Sequence, residues 1–195
     1  MRRLPPPAAA IALLALLLAA CGSPSYYLLP PPAAPLARAA SPSATVVVAD
    51  ISLPTYVDAL EIASLTGPQT VDLTKDALWA DSPRRALTRH LAAALDTRLG
   101  ARVGTEPWPA FDAPGLRIEV IVDRMIGAPG GTLDFAGQYA IVSPTSGTLR
   151  ALDRFALTIP VADGGYPALL AAHARAMDAL ADRITASITG RALAS

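Results

Sequence analysis

Few side chains in this sequence are of a type that reacts, and their spacing limits what they can do. Cys21 is the single cysteine, so its thiol has no partner within the chain and no cluster of thiolates can form around a metal. His90 and His173 each stand alone on a helical stretch without a second ligand one turn away. That is the setting of a histidine satisfied inside a core rather than of a metal ligand or catalytic base. Asp50, Asp123 and Asp134 fall on extended segments and are expected on a solvated outer face. Gly127-Ala-Pro-Gly130-Gly131 reads as a turn, because no helix follows whose amides could cradle a phosphate. The chain contains no Gly-x-x-x-x-Gly-Lys loop, Gly-x-Ser-x-Gly elbow, His-Glu-x-x-His pair or Gly-x-Gly-x-x-Gly turn. The expectation is a non-enzyme with no cofactor and no metal. Three aromatic residues, Tyr56, Trp79 and Trp108, lie in or beside loops, where a large ring either anchors a partner or plugs the end of a sheet.

The position of Cys21 gives its thiol a different chemistry. Arg2 and Arg3 precede an apolar run from Ala8, too short to cross a bilayer, that ends in small residues just before the cysteine. This is the layout of a cleaved leader over residues 1–20. Leu18-Ala19-Ala20-Cys21 resembles the lipobox of bacterial lipoproteins. The resemblance implies cleavage before Cys21, a diacylglycerol on its sulfur and a further acyl chain, such as palmitate, on its amine. Acyl chains contribute roughly 0.8 kcal/mol per buried methylene, so two or three of them make a durable anchor. Gly22 stands where enterobacterial lipoproteins kept at the inner membrane carry aspartate, which implies an outer-membrane location facing the periplasm.

Removal of the leader leaves 175 residues, enough for one domain with a sizeable core. It also leaves 14 basic against 16 acidic side chains, so no basic excess recommends nucleic acid as a partner. Residues 21–43 carry the cysteine and six prolines from Pro24 to Pro42, which reads as an extended spacer of about 3 Å per residue. Within it, Tyr26-Tyr27-Leu28-Leu29 is too apolar for a plain linker and either docks as an edge strand or lies in the headgroup layer. A single α+β domain is expected over residues 44–191. Val46-Val47-Val48 reads as a strand buried on both faces in the middle of the sheet, and Leu60 to Leu73 as a hairpin. Ser82 as N-cap, Pro83 and a left-handed Gly100 bracket a helix whose buried face carries Leu87, Leu91, Ala94, Leu95 and Leu99. Arg84 and Arg98 lie near the same azimuth with their charges expected in water. Ala101-Arg102-Val103 is a weak short strand. Alternation from Leu116 to Val122, Leu133 to Ile141 and Phe155 to Ile159 then predicts an antiparallel meander, and Pro167 to Thr189 a long helix stopped by Gly190. The simplest assembly is a two-layer α+β fold, a mixed β-sheet with both amphipathic helices on one face.

In this order of elements the chain resembles the ABC-type transport auxiliary lipoproteins, the group that includes the paraquat-inducible lipoprotein C family. The likeness rests on the lipobox, Tyr26-Tyr27-Leu28-Leu29, Val46-Val47-Val48 running into Leu53-Pro54-Thr55-Tyr56, and Trp79-Ala80-Asp81 ahead of an amphipathic helix. Where the family tends to have Trp-Ala-Glu-Pro-Leu, this chain has Trp79-Ala80-Asp81-Ser82-Pro83. The resemblance implies an auxiliary binding and scaffold component of an MCE-type ABC lipid transport system between inner and outer membranes. Its implied partners are the MCE-domain protein with its permease and ATPase, the membrane, and identical subunits in a ring. The alternative class is an envelope-assembly or peptidoglycan-associated structural lipoprotein.

Overall fold

The computed structural model describes residues 23–35 and 37–190; the expected leader, Cys21 and the expected boundary at 191 lie outside the described residues. Eight strands and two helices follow one another as β1 (Ser25–Tyr27), β2 (Thr45–Val48), β3 (Glu61–Gly67), β4 (Thr70–Trp79), α1 (Pro83–Arg98), β5 (Arg102–Thr105), β6 (Leu116–Gly127), β7 (Thr132–Ser143), β8 (Thr148–Pro160) and α2 (Gly165–Thr189). The fold is α+β. A five-stranded mixed sheet of order β5-β2-β6-β7-β8 carries both helices on one face, and a separate three-stranded mixed sheet has the order β1-β4-β3.

The second sheet is a departure from the single sheet that the pattern suggested. Leu53-Pro54 ends the run after β2, leaving only a one-residue bridge from Ser52 to Ile121. The β3–β4 hairpin therefore pairs elsewhere, with the N-terminal β1, which adds in parallel from Ser25 beside Ala77 to Tyr27 beside Trp79. β4 also runs further than the expected short arm and takes in Trp79.

In the larger sheet, β2 lies in parallel between β5 and β6, and Val46, Val47 and Val48 are all buried, as a continuous β-branched run requires. The β6-β7-β8 meander follows the alternation closely: Leu116, Ile118, Val120 and Val122 turn to the helices while Glu119, Ile121 and Asp123 turn away. Between Val122 and Arg124 the register shifts by a bulge, opposite Gly137. A β-carbon at Gly137 would stand 2.2 Å from the Ile121 carbonyl oxygen and 3.1 Å from the Val122 Cα, so only glycine lets the two strands approach here. Phe135 and Phe155 meet across β7 and β8 with ring centroids 4.8 Å apart. Leu87, Leu91 and Leu95 of α1 and Leu170, Met177 and Leu180 of α2 close the same core, each contributing on the order of 1.5–3 kcal/mol by burial.

Three helix-end details differ from expectation. Ser82 occupies the N-cap of α1 but its hydroxyl makes no capping bond; its amide instead donates to Asp81 Oδ1 at 2.7 Å. α1 ends on an extended Leu99 (φ −102°) rather than a left-handed Gly100, because the exit is drawn into a backbone ladder with Ala39. Arg98 does not reach water: its side chain is 6% exposed and held by carboxylates of α2. Gly190, by contrast, closes α2 in the left-handed conformation (φ 66°).

Candidate functional site

The proline-rich stretch, expected as a free spacer, is laid across the domain. After β1, the Ala33 amide donates to Asp178 Oδ2 at 3.1 Å, Arg38 donates to the Asp96 carbonyl, and Ala39 donates to the Arg98 carbonyl at 2.7 Å. Asp178 is the hub beneath this strap. Its Oδ1 faces His90 Nε2 at 3.2 Å and the Arg98 guanidinium at 3.8 Å, while Arg98 Nε donates to Asp182 Oδ1 at 2.6 Å. A buried cation between two carboxylates, and a carboxylate between three donors, satisfy one another where none could remain alone. Burial, only partly offset by Asp178, holds His90 below the usual histidine range. Sequence reasoning missed this cluster, since spacing along α1 and α2 does not say which polar residues face each other.

His173 lies deeper still. Its Nδ1 donates to the Leu169 carbonyl at 2.9 Å, and its ring meets Trp79 edge to face with centroids 5.6 Å apart. Burial lowers its pKa to about 4, so the ring is neutral at physiological pH. A second polar knot sits where α2 crosses the meander: Asp153 Oδ2 accepts from the Tyr139 hydroxyl at 3.1 Å and from Ser187 Oγ at 3.0 Å. Burial raises the Tyr139 pKa, which keeps its proton in place for donation. This knot clamps helix to sheet.

The three aromatic candidates do not share a surface. Trp79 is 4% exposed and fills the core beneath β1. Tyr56 is half-buried, and its hydroxyl accepts from the Met125 amide at 3.2 Å, pinning the loop after β2 to the second half of β6. Trp108 is half-buried in the β5–β6 crossing, where it donates to the Asp112 carbonyl at 3.1 Å and stacks over Gly104. The crossing presents Phe111, fully exposed at its tip, a residue the sequence reading passed over because nothing in its neighbours marks it. Asp123 and Asp134 are on the outer face, paired with Arg154 at 3.0 Å and Arg124 at 3.3 Å, and Asp50 is exposed; the three are not brought together.

A cavity of about 570 Å³ opens beside the last turn of α2 and is lined by Leu116, Ile141, Arg150 and Ile188. Among the described residues no three His, Cys, Asp or Glu side chains converge as a metal site requires. Nor is any described helix long and apolar enough to cross a membrane. The fold and these surfaces define a class: an α+β domain of two mixed sheets whose polar clusters tie elements together. The sequence profile of the ABC-type transport auxiliary lipoprotein component family matches residues 26–185, and the chain belongs to that family. Among curated proteins, none matches its sequence significantly. Two solved structures share the fold. One, described as an uncharacterized protein, is 20% identical with a TM-score of 0.70, over 86% of this chain and 99% of its own. The other, a DUF330 protein from Xanthomonas campestris, is 15% identical with a TM-score of 0.64, over 85% of this chain and 96% of its own.

Proposed function

We propose that this protein is a non-catalytic scaffold of an MCE-type ABC lipid transport system, anchored by acyl chains on Cys21 to the periplasmic face of the outer membrane. The observation that carries the proposal is the family match across residues 26–185, which takes in every element from within β1 to near the end of α2. The lipobox at Leu18-Ala19-Ala20-Cys21 supports the anchor, and Gly22 supports the outer-membrane destination. The domain then works by position: it offers a docking surface at a fixed place on the leaflet to an MCE-domain protein served by a permease and an ATPase.

Self-association into a ring is part of this proposal. β8 is a 13-residue strand at the edge of the larger sheet, and such an edge is a template for pairing with another strand. Beside it on the outer face lie Leu149 and Leu152, 55% and 59% exposed, next to Val142 and Ala140 by register. The charges on that face are paired among themselves, Arg117 with Glu106 and Arg154 with Asp123, so the apolar band can be covered without stranding an ion. The deciding experiment is purification of the acylated protein from its own membranes. Co-purification of the MCE-domain protein, permease and ATPase is expected, together with disturbed outer-membrane lipid asymmetry in a deletion strain. Unaltered asymmetry in that strain and no MCE-domain protein in the preparation would refute the proposal.

A further inference from the structure

Strand alternation divides the apolar stretch near the N-terminus between two faces. Tyr27 and Leu29 turn inward onto the core, Tyr27 meeting Tyr166 at a centroid distance of 6.0 Å. Tyr26 and Leu28 turn outward and are 64% and 76% exposed. On the far side of β4 from β1, Leu60 is also exposed, its carbonyl accepting from the Trp79 amide at 2.8 Å. Only half of this apolar stretch is therefore used by the fold.

The length of chain before β1 says where the other half goes. Ser25 is the first paired residue, four positions after Cys21, and an extended chain spans at most about 3.6 Å per residue, so β1 begins within about 14 Å of the acylated sulfur's residue. With the strap held by Ala33 and Ala39, the domain has no slack with which to stand away from the bilayer. Tyrosine and leucine at that height match the lipid–water boundary, where an amphipathic ring sits at headgroup level and an aliphatic side chain just below it. The register sets Glu61 across from Leu78, the neighbour of Tyr26, and places no arginine or lysine in those pairs, so the fit is to a zwitterionic rather than an anionic leaflet.

We infer that Tyr26 and Leu28 rest in the headgroup layer of the leaflet that holds the acyl chains, so that the domain is mounted in one orientation rather than swinging on a leash. This rests on the reading of Cys21 as acylated. The test uses the full-length acylated protein in phosphatidylcholine vesicles, with a nitroxide on Leu28→Cys and, separately, on Ala110→Cys, which lies in the crossing over the sheet face away from the helices. The label at 28 is expected to lose most of its accessibility to a water-soluble nickel chelate and to gain accessibility to oxygen, while the label at 110 keeps the reverse pattern. Protein that floats with the vesicles but shows equal nickel accessibility at both sites overturns the inference and leaves the anchor standing. Protein that fails to float overturns the anchor and the inference together. A Tyr26→Ser/Leu28→Ser variant, altered only at exposed positions, is expected to keep its melting temperature and flotation while the label at 110 tumbles faster. Unchanged tumbling would count against the mounted orientation.

Discussion

Lowering the pH should unlock this fold at one identifiable place, His173. In the folded protein burial holds its pKa at about 4, against 6.5 for the exposed side chain. Below pH 6.5 the unfolded chain takes up a proton that the folded one refuses, so stability present above that value drains away as pH falls towards 4. At about 1.36 kcal/mol per unit, the shift removes roughly 3 kcal/mol in all, most of it by pH 4.5. For a domain of this size that is a drop in melting temperature on the order of 5–10 °C. Other groups also contribute to the pH dependence of stability, so the measurement is a difference of differences: urea unfolding at pH 7.0 and 4.5 for the wild type and for His173→Leu. Leucine fits the apolar surroundings, and the Leu169 carbonyl keeps its helical partner. The wild type should lose roughly 2–3 kcal/mol more than the variant between the two pH values. Equal losses would show that His173 titrates normally, and that the buried ring beside Trp79 is not the constraint described above.

Gly137→Ala should destabilise the protein by about 2 kcal/mol in chemical denaturation, since its β-carbon would collide with backbone atoms of β6 that cannot step aside; a loss below about 0.5 kcal/mol would mean the bulge absorbs it. Asp178→Ala removes the carboxylate that faces His90 and the Ala33 amide while Arg98 keeps Asp182, and should cost roughly 1–3 kcal/mol, with faster amide exchange at Ala33. Unchanged exchange there would show the strap is held by other means. Cys21→Ser should abolish acylation, leaving an uncleaved precursor or a soluble protein whose domain still folds; mass spectrometry of the N-terminus decides, and full function at normal abundance would show anchoring to be dispensable.

The parts of the fold that were legible in the sequence are those with a strict period. Alternation in β6 and β7 and the 3.6-residue repeat of Leu169, Leu170, His173, Met177, Leu180, Ile184 and Ile188 name their own inward faces, and all of these α2 residues are buried except Ile188, which is partly so. What could not be read depends on pairings between distant residues. Nothing local tells β1 to add beside Ala77–Trp79, or Ala33 to find Asp178, 145 positions later. The place of Arg98 at a helix end points its charge to water, yet a partner on α2 makes the same position a buried ion pair. Trp79 shows the same limit: next to a turn it reads as anchor or plug, and in the fold it is buried against His173. Prolines between Pro30 and Pro35 imply an extended backbone but carry no information on whether that backbone is free.

The strap also imposes an order of events. A chain delivered across a membrane from its N-terminus presents residues 23–43 long before the residues that hold them: Trp79 follows first, then Leu99, and Asp178 only near the end. Until then the strap is only partly held. On the lipoprotein reading, this interval is when modifying enzymes find the thiol unobstructed, and completion of the last helix ends it by drawing the stretch down onto the finished domain. Slowing synthesis before residue 178 should therefore leave acylation intact, whereas a pre-folded precursor should be a poor substrate for it.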